Sequence, residues 1–305
     1  NGESRVWGVA EKRFCGAKTF EAQGGRAGRR RFREKDRKQP PLRMMGKRKI
    51  REILTGAAGF DKNHDMYRVD QRVAASHTNA EGELKLVSAI DMIQDCSQLW
   101  LESEPEVERY FRERRIVQVL VFRQADMGKM PLYGERLRVE TGIYGCKSFL
   151  GYRNTVIYNE KGEPCVTSWS IGAFVNLETG RPEKLPPDLT AGLRLDPKIE
   201  MEYLGKKIPA PEEPGERLPP LRAGRNDIDF NRHMNNARYV QIAVELLPPD
   251  FAVSRFRIEY KNPAKYGDYL YPERVAREGE GGRGVFLRLS DGGGRPYAVM
   301  EFNSR

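Results

Sequence analysis

The chain has only three histidines among its 305 residues, His64, His77 and His233, and only four cysteines, Cys15, Cys96, Cys146 and Cys165. No two cysteines form a CxxC pair, so neither a Cys/His zinc site nor a disulfide-rich scaffold is expected. Such sparse, scattered thiols fit a reducing, cytoplasmic compartment. Long apolar runs are also missing, so no membrane span is expected. The N-terminal stretch lacks an apolar h-region, which excludes a secretory signal there. Its acids and scarcity of serine argue against an organelle transit peptide. No metal or organic cofactor is implied.

Positive charge is in excess, but not where a nucleic-acid surface would need it. The formal net charge is +10, yet residues 1–50 hold 16 Lys+Arg against 5 Asp+Glu, and the remainder holds 37 against 38. No nucleic acid is therefore expected as a partner of the folded body. The tail around "GGRAGRRRFREKDRKQPPLR" has no hydrophobic periodicity and reads as a disordered extension over 1–50. Met44 and Met45 precede "GKRKIREILTG". Two readings stay open for the tail: translation upstream of a natural start there, and a polyanion-binding segment.

The body repeats itself. "PLYGERL" (131–137) is echoed by "AKYGDYL" (264–270), with Tyr133 answered by Tyr266. "NEKGEPCVTSWSI" is echoed by "DGGGRPYAVMEF" at nearly the same offset, with Pro164 answered by Pro296. Both are strand–turn–strand patterns. Each follows a strong helix candidate. The first is "LVSAIDMIQDCSQLWLES", with Ser88 as candidate cap and Ile90, Ile93, Cys96 and Trp100 along one face. The second is "NNARYVQIAVELLPP", capped by Asn235 or Asn236 and stopped by Pro248 and Pro249. It is apolar on two sides, which calls for cover around most of its circumference. The expected fold is therefore α+β, two copies of a long helix wrapped by an antiparallel sheet. The units are expected at 62–180 and 216–305, joined over 181–215 by a Pro-dense stretch that reads as a linker or a surface-wrapping segment.

Residues 227–240, "DIDFNRHMNNARYV", carry the chemistry. If the lead-in is extended, Asp229, Asn231, His233 and Asn235 share one side, and Ile228, Phe230 and Met234 the other. His233 is then aimed at a helix N-terminus, whose free N–H groups stabilise a developing oxyanion. A carboxylate beside an imidazole raises its basicity, and an Asn can hold water. Together these suit hydrolysis of an activated acyl group. The plainer readings are helix caps at Asn235 and Asn236 and a structural Asp–His pair.

At these residues the chain resembles the acyl-ACP thioesterase family, plant-type and bacterial. Arg225, Asp227, Asp229, Asn231, His233, Asn235, Asn236 and Tyr239 fit its signature run. "YRVDQRVAASHTNAEGELKLVSAIDMIQDCSQLW" resembles the family's opening strand, loop and helix, and the likeness spans about 64–305. The resemblance implies a tandem hot-dog fold and hydrolysis of fatty acyl-ACP, with acyl carrier protein as partner. It implies Asp229, Asn231 and His233 as the catalytic set and a first domain that shapes the acyl pocket. Met92, Ile93, Cys96 and Trp100 are its candidate lining, with Asn235 and Asn236 at the thioester.

The chain departs from the family where many members carry Glu, followed in plants by Cys. "IEYKNPAKYGD" has Pro263 and Ala264 there. Water is then activated by His233 or Asp229, or another acid such as Glu259 substitutes. His233 as base, oriented by Asp229 with Asn231 positioning water or the thioester, is the favoured reading. An acidic carrier protein would dock on a basic rim, for which Arg225, Arg232, Arg238, Lys261 and Lys265 are candidates. An acyl-CoA thioesterase and a non-catalytic acyl-binding protein are the alternatives. The chain is expected as a monomer with an internal pseudo-dimer, or as a homodimer.

Overall fold

The computed structural model describes residues 66–279 and 282–304, and the readings placed on the 1–50 tail lie outside them. Both expected helices form. Helix α1 (Leu86–Ser103) buries Ala89, Ile90, Met92, Ile93, Cys96 and Trp100, the i, i+3, i+4 stripe that its periodicity demands. Its N-cap is Lys85, not Ser88, which lies inside the first turn. The earlier start follows from the Lys85 N–H bond to His77 O, which brings the chain into the helix before Ser88 is reached. Helix α2 (Pro105–Arg114) follows at once, with Pro in its first turn and Arg115 left-handed at φ 53° to end it. Helix α3 (Pro187–Gly192) is a short turn after the first unit. Helix α4 (Asn236–Glu245) is capped by Asn235, whose side chain accepts from Ala237 N at 2.8 Å.

The first unit's strands are β1 (Tyr67–Arg72), β2 (Ile116–Met127), β3 (Arg136–Lys147), β4 (Leu150–Tyr158) and β5 (Pro164–Asn176). After two short pieces, β6 (Glu216–Arg217) and β7 (Leu221–Arg222), come the second unit's strands. They are β8 (Val253–Tyr260), β9 (Tyr269–Gly279), β10 (Gly282–Ser290) and β11 (Pro296–Ser304). Among the described residues all lie in one sheet, ordered β1-β3-β4-β5-β2-β8-β11-β10-β9-β6, with β7 also on β9. The order reads alike from both ends, so the units are related by a pseudo-twofold at the antiparallel β2–β8 seam. The expected repeat is borne out strand by strand. Leu150 at the start of β4 answers Gly282 of β10, and at the same offset Pro164 of β5 answers Pro296 of β11. Helices α1 and α4 are spaced more widely than these strands, because the first unit has a longer α1 and the inserted α2. This is the α+β tandem arrangement read from the sequence, one helix and one wrapped sheet per unit.

Side-chain alternation splits the sheet into two faces. The helix face holds the main core, in which Ala125, Met127, Val139, Ile157, Val166, Phe256, Ile258, Leu287 and Met300 meet α1 and α4. A one-residue slip would turn that whole set outward, at ~1.5–3 kcal/mol for each large side chain, so the register is firmly held. The opposite face is covered by the segment expected as linker. Leu185 and Leu193 still pack with Trp100 and Phe174 in the first unit, after which Asp196 N–H bonds Ile143 O at the sheet edge. The chain then crosses the outer face: Tyr203 packs on Trp169, Leu204 N–H donates to Gln124 Oε1, and Ile208 joins Phe286 and Val299. Of the two readings, linker and surface-wrapping segment, these contacts fit the second: it is a strap. Among the described residues no helix is long and apolar enough to cross a membrane.

Candidate functional site

The segment ahead of α4 is a tight turn rather than an extended strand. Arg232 N–H donates to Asp229 O at 2.9 Å, and Asp229 N–H to His233 O at 2.9 Å. Ile228 bridges Met234 across its base. This is a three-residue hairpin loop closed by one left-handed residue, Arg232 at φ 62°. The same five-residue turn occurs at 79–83, 159–163 and 291–295, where Gly82, Gly162 and Gly294 hold the left-handed position. In each an Asn or Asp leads and its side chain accepts the N–H groups two and four residues on. Asn79 takes those of Glu81 and Glu83; Asp229 takes those of Asn231 (2.8 Å) and His233 (3.5 Å).

The turn corrects the alternation reading. Phe230 was expected on the buried side; it sits at the tip, 86% exposed, because a turn does not alternate faces. Asp229, Asn231 and His233 are still brought together, by the turn itself. Asn231 Nδ2 lies 3.4 Å from Asp229 Oδ2. Asp229 bonds the backbone of His233, and no bond from its carboxylate to the imidazole is present among the described residues. Asn231 is exposed and His233 half-buried.

His233 stands two residues ahead of the Asn235 cap, so its backbone is held from both sides. Met234 N–H donates to Ala264 O (2.8 Å), and Asn235 N–H to Asp227 O (2.7 Å). Ala264 N–H donates to the buried Tyr239 hydroxyl at 2.8 Å. Burial pushes the Tyr239 phenol up to about 12, so it stays protonated beside the site. The Tyr260 hydroxyl donates to Asn236 O (3.2 Å), and its ring meets Tyr239 edge-on. Ala237 and Arg238 N–H groups are used by the Asn235 cap, whereas Asn236 N–H has no acceptor among the described residues. That amide lies at the positive end of α4, where an uncommitted N–H group favours negative charge.

The first unit contributes directly. Gln94 of α1 donates to the Asn235 side chain (3.3 Å), and Asp91 pairs with Arg238 (2.5 Å). The site therefore lies where α1 and α4 meet. Neither Asp91 nor Gln94 carried a sequence signal, since each finds its partner in the other half of the chain. Tyr260 could have been read from the "EY" end of its strand. The pseudo-equivalent turn at 79–83 has Glu83 and Lys85 where the second unit has His233 and Asn235, so the first unit has no imidazole at that position.

Several expected assignments change. Arg238 is already engaged within the chain: its guanidinium is bonded to Asp91 and Gln241. The Lys261 ammonium pairs with Glu259, whose other oxygen accepts from Ile208 N–H (2.6 Å) under the strap. Because Ile258 and Tyr260 point to the helix face, Glu259 between them points away, and it cannot replace the missing acid. Pro263 and Ala264 offer only backbone groups to the site. Arg225, Arg232 and Lys265 are exposed around it, with Arg225 6.0 Å from the Tyr266 ring centre. Met92, Ile93 and Cys96 lie in the main core. Trp100 belongs to a neighbouring cluster, its ring under the Arg153 guanidinium at 4.3 Å. Burial raises the Cys96 thiol to about 12, so it is no nucleophile.

Comparison with known proteins agrees with this architecture. Residues 64–193 match the acyl-ACP thioesterase N-terminal domain, and residues 216–286 its C-terminal domain. The acyl-[acyl-carrier-protein] hydrolase FATB2, chloroplastic, of Cuphea viscosissima is 25% identical over 59% of this chain and 47% of its own. The palmitoyl-acyl carrier protein thioesterase, chloroplastic, of Cuphea hookeriana is 24% identical over the same shares. The chain thus spans about half the length of the curated relatives it matches. An acyl-ACP thioesterase structure from Bacteroides thetaiotaomicron superposes with a TM-score of 0.69 at 19% identity, covering 79% of this chain and 98% of that one. The 12:0-ACP thioesterase of Umbellularia californica gives 0.68 at 17%, with the same coverage. Those two likenesses establish the hot-dog fold. With both halves matched in order, the chain belongs to the acyl-ACP thioesterase family.

Proposed function

We propose that this protein hydrolyses the thioester of fatty acyl-ACP, releasing the free fatty acid and holo-ACP and ending chain elongation. The observation that carries the reading is the turn that sets His233 three residues ahead of Asn236, whose N–H at the capped start of α4 has no acceptor among the described residues. The His233 imidazole takes a proton from water as the water oxygen bonds to the thioester carbon. Negative charge on the carbonyl oxygen is met by Asn236 N–H and the α4 dipole. The C–S bond then breaks, and the imidazolium returns its proton to the leaving thiolate. Asn231 positions water or the thioester carbonyl. Asp229 orients His233 through the turn, by its backbone N–H, and is a positioning residue in this scheme.

Arg225, Arg232 and Lys265 form the basic rim for acidic acyl carrier protein, and Met92, Ile93, Cys96 and Trp100 line the path of the acyl chain. The described cysteines Cys96, Cys146 and Cys165 are thiols, which is compatible with a reducing, cytoplasmic setting. One chain already supplies two units, so a monomer suffices for this chemistry. Thiol release from a panel of acyl-ACPs and the matching acyl-CoAs tests the proposal. Wild type should release thiol, favour ACP, and lose at least ~100-fold in kcat on His233→Ala. Equal turnover on CoA substrates would favour the acyl-CoA enzyme. No release above background would favour an acyl-binding protein, and an unimpaired His233→Ala would remove the imidazole from the mechanism.

A further inference from the structure

Arg123 of β2 and Arg153 of β4 are only 3% and 5% exposed. Both are paired across the ladder with one residue of the strand between them, Ser170 of β5. Directly opposed residues share a face, so the three side chains form one row, with the arginine Cα atoms ~10 Å apart. That face is the inner one: Ala125 and Met127 follow Arg123 at two-residue steps into the core, and Arg153 stacks on Trp100 of α1. Arg153 Nη1 donates to Thr141 Oγ1 (3.1 Å), but its Nη2 finds no acceptor among the described residues, and neither do Arg123 Nε and Nη1. Burial lowers both guanidinium pKa values. The neighbours differ: the Asp196 carboxylate favours and Arg123 opposes the charged form of Arg153, whereas the group that favours the charged form of Arg123 is the Tyr260 hydroxyl.

A buried cation with donors left unsatisfied is among the most costly features a core can carry. A hydrocarbon chain lying under α1 would leave that cost untouched, because it has no acceptor. A carboxylate would relieve it, since a guanidinium fork takes both oxygens at once. The row also begins beside the candidate site. Tyr260, which bonds Asn236 O, is the diagonal cross-strand neighbour of Arg123.

We propose that the acyl groups this protein accepts carry a carboxylate, seated on Arg123 and Arg153 of the inner sheet face. The proposal rests on the thioesterase reading and narrows it from plain fatty acyl chains to acidic ones. Thiol release is measured from carrier-protein thioesters of dicarboxylic half-acids and of monocarboxylic acids of matched length. Wild type should prefer a half-acid by about 100-fold in kcat/KM. Arg123→Met should abolish the preference, and Arg123→Lys, which keeps the charge but not the fork, should retain part of it. Preference for the methyl-terminated chains at every length, or an unchanged preference in Arg123→Met, overturns the proposal. Calorimetric titration with free dicarboxylate, monocarboxylate and acetate decides the same point if neither series is hydrolysed, in which case the hydrolysis reading alone has failed. Dicarboxylate binding that Arg123→Met removes supports the site. Absence of heat, or equally tight acetate, overturns it.

Discussion

Replacing Arg238 should weaken the joint between the two units rather than the docking of a carrier protein. Its guanidinium sits 2.5 Å from Asp91 and also holds Gln241, with the Arg238 and Asp91 side chains 25% and 36% exposed. Fully exposed pairs couple by ~0.2–1 kcal/mol, while hydrogen bonds to charged groups reach ~1.5–3 kcal/mol. A half-buried, short pair belongs between them, at ~1–2 kcal/mol. For a body of this size that corresponds to a Tm loss of ~3–6 °C. The assay is a double-mutant cycle by chemical denaturation over wild type, Asp91→Ala, Arg238→Ala and the double variant, with the swapped pair Asp91→Arg/Arg238→Asp as rescue. Because the α4 N-terminus is seated at this joint, kcat should fall in the single variants. The ratio of KM for acyl-ACP to KM for a small acyl thioester should hold. A coupling energy within ~0.3 kcal/mol of zero, together with a rise in KM for acyl-ACP alone, would refute the reasoning and return Arg238 to the docking surface.

Tyr239→Phe should cost ~1–3 kcal/mol, because the Ala264 N–H would then be left without an acceptor. An unchanged denaturation midpoint would show that the loop finds another partner. Stability should fall at alkaline pH. Burial raises Cys96 from 9.0 and Tyr239 from 10.0, each to about 12, so the unfolded chain releases protons that the folded chain keeps. This contribution is intact below about pH 9 and lost on the way to about 12, and Cys96→Ala should flatten the fall seen in Tm against pH. Rapid labelling of native Cys96 by a thiol reagent at neutral pH would contradict it. Arg232→Gly should stabilise the 229–233 turn by up to ~1 kcal/mol, since Gly relieves the left-handed strain as Gly82 does in the first unit. A loss of stability would mean that the Arg232 side chain makes contacts that offset its backbone.

What the residues alone determined was local in origin. The two helices follow from apolar spacing and from the Asn235 cap. The paired hairpins follow from turn residues that recur at a near-constant offset, and the pseudo-twofold sheet is their consequence. His233 near a helix N-terminus was legible for the same reason. The turn that carries it was not, because Arg232 occupies a position that three sister turns mark with Gly. With that signal masked, an extended reading sent Phe230 inward. Tertiary structure alone decided which way each charge faces. The parity of β8 turned Glu259 away from the site. Contact between α1 and α4 paired Arg238 with Asp91 and brought Gln94 to the cap. Closure of the sheet over α1 enclosed Arg123 and Arg153, which carried no signal in the sequence. Propensity, caps and turns act over a few neighbouring residues and are written there. Burial and ion pairing depend on which distant segments the folded sheet brings together.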